Sequence, residues 1–476
     1  MARIIPSRRT FQYIPSERTA RRTKATVRAA FAATTASLLL VAPLAACGSG
    51  TAANSANGQV YFLNSKSENI TEFQELAEAF TDETGIPVTV STGGAVSYDT
   101  ALPSELAKSN PPTMFSVVGY ATYFKVKDYL APLQDTELYG LLTEDGKSAA
   151  MGDGDNVYSI PYVTEYNGIL YNKKIIADYC AKDYAVIGSA DDITDFDTLK
   201  SVVESIQQHK DDLGLDGAWT TPNLDSSGSY RYGDHMARLP ISAELRDDNI
   251  TFKPEITGKY VAQFKEMFDL QANNNPESKM MISSFPLDDS TSQFALGRVA
   301  FYNNGTWIYS QLKDNEIAPG DIGVLPYWIG VPGEEDYGAM AVYDAQWGLN
   351  KNASEKDRQA ALKFMKWMIS SDKGKEVISK EMDYSAPFTT FGADDQPTNE
   401  VAIGAEALAK QGKKYIYNVG LPNQQFKDNI VNALVEYVQG TGDWSGVESA
   451  FVDGWKTEWG HVKETQGMLP DAKPLE

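Results

Sequence analysis

One carboxylate stands out by its position. In PYVTEYNGILYN, residues 161–172, Glu165 directly precedes Tyr166 and the apolar GILY run. A strand buried on both faces has no obvious use for a charge at its head. Extended geometry puts Tyr162, Thr164 and Tyr166 on one side of this segment and Val163, Glu165 and Asn167 on the other. An ionised Glu165 only accepts hydrogen bonds, so it suits a ligand that donates them, or else it is a solvated strand start. A second stretch, FALGRVAFYNNGTWIYSQL, reads as an apolar strand, an Asn-Asn-Gly turn at Asn303 and Asn304, and a helix with Trp307 in its first turn. Otherwise the inventory is poor in catalysts. His209, His235 and His461 share no metal-ligand spacing, so no metal and no cofactor is expected. No G-x-S-x-G elbow occurs, although a dispersed Ser-His-Asp triad stays open.

The ends place the chain outside a cell. Residues 1–46 combine a basic start with an Ala/Leu-rich run, the pattern of an export signal. LAAC, Leu44 to Cys47, is similar to the lipobox of bacterial lipoproteins, which are cut before the cysteine and acylated on it. SRRTFQ also looks like a twin-arginine signal, but it lies far from the apolar run, which favours ordinary secretion. Residues 47–58 are small and patternless, a flexible tether spanning roughly 18 Å. The chain carries a net charge of −22, and loss of the leader, with its eight basic residues and one acid, moves this to −29. A balance this acidic excludes nucleic-acid phosphates as partner and suits a well-solvated secreted body. With Cys47 given to lipid, Cys180 is left alone and no intrachain disulfide can form.

The elements needed to position such residues follow. QVYFLNS, a helix with apolar residues at Ile70, Phe73, Leu76, Ala77 and Phe80, Gly85, and IPVTVST make a β-α-β unit and hence a parallel sheet. The plan repeats through TALPSELAKS and TMFSVV, leaving Gly119 and Tyr120 at the C-terminal end of a strand, where open α/β sheets bind ligands. FDTLKSVVESIQQHK and GKYVAQFKEMFDLQANN are amphipathic helices separated by a turn-rich loop that carries Tyr230, Arg231 and Tyr232. DIGVLPYW and GAMAVYDAQWGLN are strands, and the chain closes on long helices whose Trp367, Trp444, Trp455 and Trp459 read as packing.

These pieces, in this order, resemble the extracellular solute-binding proteins of ABC importers, most of all the sugar-binding family that includes maltose-binding protein. The likeness covers nearly all of residues 59–476 and is carried by GILYN at 168–172, by FALGRVAFYNNGTWIYSQL and by AALKFMKWMISSDKGKEVISK; Tyr162 departs from the usual aliphatic or Phe residue. It implies an α/β fold of two lobes with the ligand in the cleft between them and no chemistry done on the ligand. The lobes would be 59–162 with about 348–400, and 167–342 with about 401–476. It implies a lipid-anchored monomer on the outer face of the bacterial membrane that delivers a carbohydrate to a permease, with an oligosaccharide favoured by the 52 aromatic residues. By the same resemblance Glu165 accepts hydrogen bonds from sugar hydroxyls and Trp307 stacks on a sugar face, a burial worth roughly 1.5–3 kcal/mol. Asn303, Asn304, Asn64, Ser65, Lys66, Tyr120, Tyr166, Tyr230, Tyr232, Gln346 and Trp347 are further candidates for ligand contact, and core burial competes for each. Two alternatives remain. A secreted glycoside hydrolase needs two carboxylates about 5–10 Å apart, and only Glu165 is well placed. A peptide- or amino-acid-binding protein needs an arginine clamp, for which Arg231 is the candidate.

Overall fold

The computed structural model describes residues 57–92, 98–313 and 315–475. The leader, Cys47 and the tether as far as residue 56 lie outside the described residues. Twelve strands form within them: β1 Val60–Leu63, β2 Val88–Ser91, β3 Met114–Val118, β4 Met151–Asp153, β5 Asn156–Pro161, β6 Glu165–Asn172, β7 Gly217–Trp219, β8 Val299–Gly305, β9 Ile322–Leu325, β10 Tyr337–Val342, β11 Ala345–Leu349 and β12 Lys414–Ile416. They build two sheets. The first has the order β2-β1-β3-β11-β5-β4; the second runs β12-β10-β6-β8-β7, with β9 also on β6.

In the first sheet β2, β1 and β3 are parallel, as helical crossovers require. The helix Ile70–Thr84 buries Phe73, Leu76, Ala77 and Phe80 at three- and four-residue spacing. Gly85, at φ 71°, takes the left-handed position that closes it. β11 then enters antiparallel between β3 and β5.

The chain passes between the sheets three times: at 162–164 between β5 and β6, at 343–344 between β10 and β11, and at 371–399 after the helix Glu355–Ser370. These passages are tied to each other. The Tyr162 N–H donates to Ala345 O at 3.3 Å, and the Thr164 N–H donates to Ser385 O at 2.7 Å.

Two local readings change. Asn303, Asn304 and Gly305 are not a turn but the last residues of β8, in register with Ile169, Gly168 and Asn167 of β6. The Asn304 Nδ2 donates to Tyr302 Oη at 2.7 Å and Asn303 Nδ2 to Tyr327 Oη at 3.4 Å, so tyrosine hydroxyls take up amides that would otherwise favour a turn. Tyr232 is also not on a loop. A π-helical run, Arg231–Met236, continues into the helix Ala237–Asp247, because Tyr232, Met236 and Leu239 all have apolar partners to bury against. Trp455 and Trp459 do lie in the core, while Trp367 and Trp444 are half-buried.

Trp347 is fully buried, stacked on Tyr162 with centroids 4.8 Å apart and planes at 10°. Trp347→Ala is expected to cost about 3–5 kcal/mol of unfolding free energy, read from urea denaturation of the sugar-free protein.

Candidate functional site

A cavity of about 1820 Å³ is lined from both sheets, above the roughly 300–1,000 Å³ of most small-ligand pockets. The first sheet brings Lys66 from the end of β1 and Gly119 and Tyr120 from the end of β3; the second brings Glu165 from the start of β6 and Trp307 from just beyond β8.

Lys66 is aimed by its neighbours. Asn64 grips its backbone twice, accepting from Lys66 N–H at Oδ1 (3.1 Å) and donating from Nδ2 to Lys66 O (2.8 Å). The Ser65 N–H donates to Ser116 Oγ at 3.0 Å. So held, the Lys66 ammonium reaches Glu165 Oε2 at 2.7 Å and Glu68 at 3.7 Å. Burial pulls the Lys66 ammonium toward deprotonation, but Glu165 and Glu68 more than offset it, and its pKa lies well above the ordinary lysine value. Burial pushes the Glu165 carboxyl up, against the pull of Lys66. The pair therefore joins the two sheets across the cavity as an ion pair largely removed from water.

Next to it is an aromatic corner. A Cβ on Gly305 would come within 2.3 Å of the Trp307 ring, so the indole lies directly on the glycine backbone. The Trp307 Nε1–H donates to Tyr230 Oη at 3.2 Å. His235 completes the corner, its ring centre 4.8 Å from Trp307 and 5.3 Å from Tyr230. Burial holds the imidazole neutral, down to a pKa of about 4. It thus offers one donor and one acceptor rather than two donors.

The cavity floor is a charge network. Arg238 donates from Nε to Asp234 Oδ1 at 2.6 Å and from Nη2 to Asp344 Oδ2 at 3.0 Å, and it also bonds Asn418. Lys427 pairs with the other Asp234 oxygen. Burial alone would raise Asp234, yet Arg238 and Lys427 hold its carboxyl well below the usual range. Asp344 is on the 343–344 passage, and its carbonyl accepts from Gly119 N–H at 3.0 Å.

Of the residues singled out from the sequence, Lys66, Tyr120, Glu165, Tyr230, Trp307 and Gln346 line the cavity. Gln346 spends its amide internally, on Ser159, Ala149 and Tyr343. Asn64 and Ser65 stand behind Lys66. Asn303, Asn304, Tyr166, Tyr232 and Trp347 are buried away from the cavity, where Tyr166 packs on Tyr415 and Tyr232 bonds Gln271. Arg231 is buried too. It bonds Asn223, stands over the Tyr302 ring at 5.1 Å, and does not reach the cavity as an arginine clamp must. His235, Asp234, Arg238 and Asp344 were missed. The i,i+4 spacing of Asp234 and Arg238 is the available signal; the sequence raises His235 only as a metal ligand or a triad member, not as a cavity-lining ring.

Two sheets of α/β type, crossed three times by the chain and sharing one large cavity, define a two-lobed binding protein. Residues 75–405 match the bacterial extracellular solute-binding protein family, and the chain belongs to it. Among solved structures it is similar to a family 1 extracellular solute-binding protein from Bifidobacterium longum subsp. infantis, at 17% identity over 84% of this chain and 99% of that one, with a TM-score of 0.60. The GacH receptor of Streptomyces glaucescens GLA.O, solved unliganded and with acarbose, matches at 16% identity over 84% and 98%, TM-score 0.62. A sugar transporter from Bacillus licheniformis, solved with stachyose, matches at 17% identity over 84% and 100%, TM-score 0.60. At these identities the likeness is one of fold.

The neutral state of His235 makes stability depend on pH. Its folded pKa of about 4 lies below the ordinary 6.5, so the unfolded chain takes up the proton first. Stability should be level above pH 6.5 and fall toward pH 4, by up to about 3 kcal/mol from this group. Urea midpoints of wild type and His235→Phe, compared between pH 7 and 4.5, should diverge as the pH falls; parallel curves would show that the imidazole is not held neutral.

Proposed function

We propose that this protein is the lipid-anchored, extracellular substrate-binding component of an ABC importer, and that it captures an oligosaccharide in the cavity between two lobes. The observation that carries this reading is the aromatic corner of Trp307, Tyr230 and His235 beside the Lys66–Glu165 pair. An indole and a phenol present faces to the C–H patches of a sugar, and the neighbouring charged and neutral polar groups meet its hydroxyls with charge-assisted hydrogen bonds. The cavity volume accommodates more than one sugar ring. Glycans bound to structurally similar proteins, acarbose and stachyose among them, are of the same chemical class.

The same reading places one lobe at 59–162 with about 348–400, the other at 167–342 with about 401–476, and acyl chains on Cys47. It gives the protein a permease as partner, an outer-face location, a monomeric state and no catalytic step on the sugar. No helix among the described residues is long and apolar enough to cross a membrane. The hydrolase alternative is disfavoured because Glu165, the best-placed carboxylate, already spends an oxygen on the Lys66 ammonium at 2.7 Å, whereas a glycosidase needs two carboxyls free to act on the scissile bond.

Thermal unfolding with a panel of neutral glycans tests the ligand class. A bound glycan at 100 times its Kd should add about 2.7 kcal/mol of stability, with no product detected by chromatography; sustained cleavage by clean protein would overturn the reading. Trp307→Ala should weaken glycan binding by roughly 1.5–3 kcal/mol and leave the sugar-free melting temperature nearly unchanged. A loss of sugar-free stability on the scale of the Trp347 change would instead make Trp307 a packing residue. Cys47→Ser should move the protein from the membrane to the soluble fraction, and unchanged fractionation would rule out the acyl anchor.

A further inference from the structure

The cavity has two unlike ends. Tyr230, Asp234, Arg238, Ser242 and Arg246 line it at intervals of four along one helical run. At 1.5 Å per residue that stripe is about 24 Å long. The aromatic corner lies at its start. Just past its other end is Thr251, and there the chain's last described segment enters the cavity wall.

That segment begins where Gly467, at φ 74°, closes the helix Trp444–Gln466 in a left-handed cap. Beyond it Met468, Leu469, Pro470, Asp471, Lys473 and Leu475 line the cavity. It has no regular secondary structure, yet it is fastened from two directions. From the side of the first sheet, Lys127 Nζ donates to Gln466 O at 2.8 Å and contacts Met468 Sδ at 3.1 Å. From the side of the second, the Thr251 N–H donates to Lys473 O at 2.7 Å, the Lys473 N–H donates to Thr251 Oγ1 at 2.9 Å, and Thr251 Oγ1 contacts Asp471 O at 3.2 Å. Met468, Leu469 and Leu475 pack against the large apolar cluster. Pro470 and Pro474 fix backbone φ, which lowers the entropy lost in holding the segment in place.

We propose that residues 467–475 are an end stop for the ligand cleft, which sets the longest glycan chain that can lie along the helical stripe from the aromatic corner. The proposal rests on the oligosaccharide reading above. It assigns a role in specificity to a segment that makes no contact with the aromatic corner: a short glycan reaches only the corner, and a longer one meets the Met468–Leu475 wall.

The test is a length ladder. Linear xylo-, malto- and chito-oligosaccharides, from the disaccharide upward, are titrated calorimetrically into the wild type, into a Lys127→Met/Thr251→Val double variant, which loses side-chain fastenings on both sides while keeping the chain, and into a chain stopped after Gly467. In the series that binds, wild-type affinity should rise with length and then stop rising or fall. In the variants the short members should bind as before, and members beyond the wild-type limit should gain about tenfold or more. An unchanged length profile in the double variant overturns the end stop and leaves the sugar reading intact. Failure of every series to bind any of the three proteins overturns the sugar reading, and the end stop with it. Hydrogen exchange of the Lys473 amide in the sugar-free wild type checks the seat without any ligand: slowed exchange is expected, and exchange at the rate of an unstructured chain overturns the proposal.

Discussion

Glu165 can head a buried strand only because Lys66 reaches it from the other sheet. Stripping water from a carboxylate and an ammonium costs several kcal/mol per ion, and good geometry is needed to recover it. The 2.7 Å contact supplies that geometry; the Asn64 side chain holds the Lys66 backbone, and the Ser116 hydroxyl holds the N–H of Ser65 before it. β6, in turn, is the central strand of the second sheet, paired to β8, β9 and β10. One ion pair thus joins the start of β6 in the second sheet to the segment just past β1 in the first, across the cavity. A ligand hydroxyl that enters beside Glu165 meets a carboxylate already oriented, not one that must be ordered on binding.

The Arg238 network works by the same rule on the cavity floor. Asp234, Arg238, Asp344 and Lys427 are individually expensive to bury and collectively satisfied. Because Asp344 belongs to a passage between the sheets and also accepts from Gly119 N–H through its carbonyl, the floor is fastened to the 343–344 passage and to the end of β3. Electrostatics and chain topology meet there in a single residue.

What was legible in the sequence was local. The β-α-β start, the helical stripes and the odd position of Glu165 all follow from periodicity and from the cost of a lone buried charge. Trp307 and Trp347 show where such reading ends. Both follow or occupy apolar strands, and nothing in residue type separates them. Trp347 is a core residue because Tyr162, far away in sequence, lies flat against it. Trp307 faces the cavity because Gly305 leaves room for its ring. The sequence suggests a turn at Asn303 and Asn304 because their amides compete with backbone bonding. The hydroxyls that remove this competition come from Tyr302 and Tyr327, and only the folded chain puts them there. The Lys66–Glu165 partnership joins residues 99 apart, beyond the reach of any window.

The three passages between the sheets lie side by side and are hydrogen-bonded to one another through Tyr162, Ala345, Thr164 and Ser385. A single covalent joint would let one half swivel, twist and bend. Three joints laced together cancel most of those rotations and leave chiefly one, a bend across the lacing. The position of one half relative to the other then reduces to nearly a single coordinate. Under the importer reading proposed above, a permease that sensed the distance between two points on this surface would read that one coordinate and register occupancy without touching the ligand.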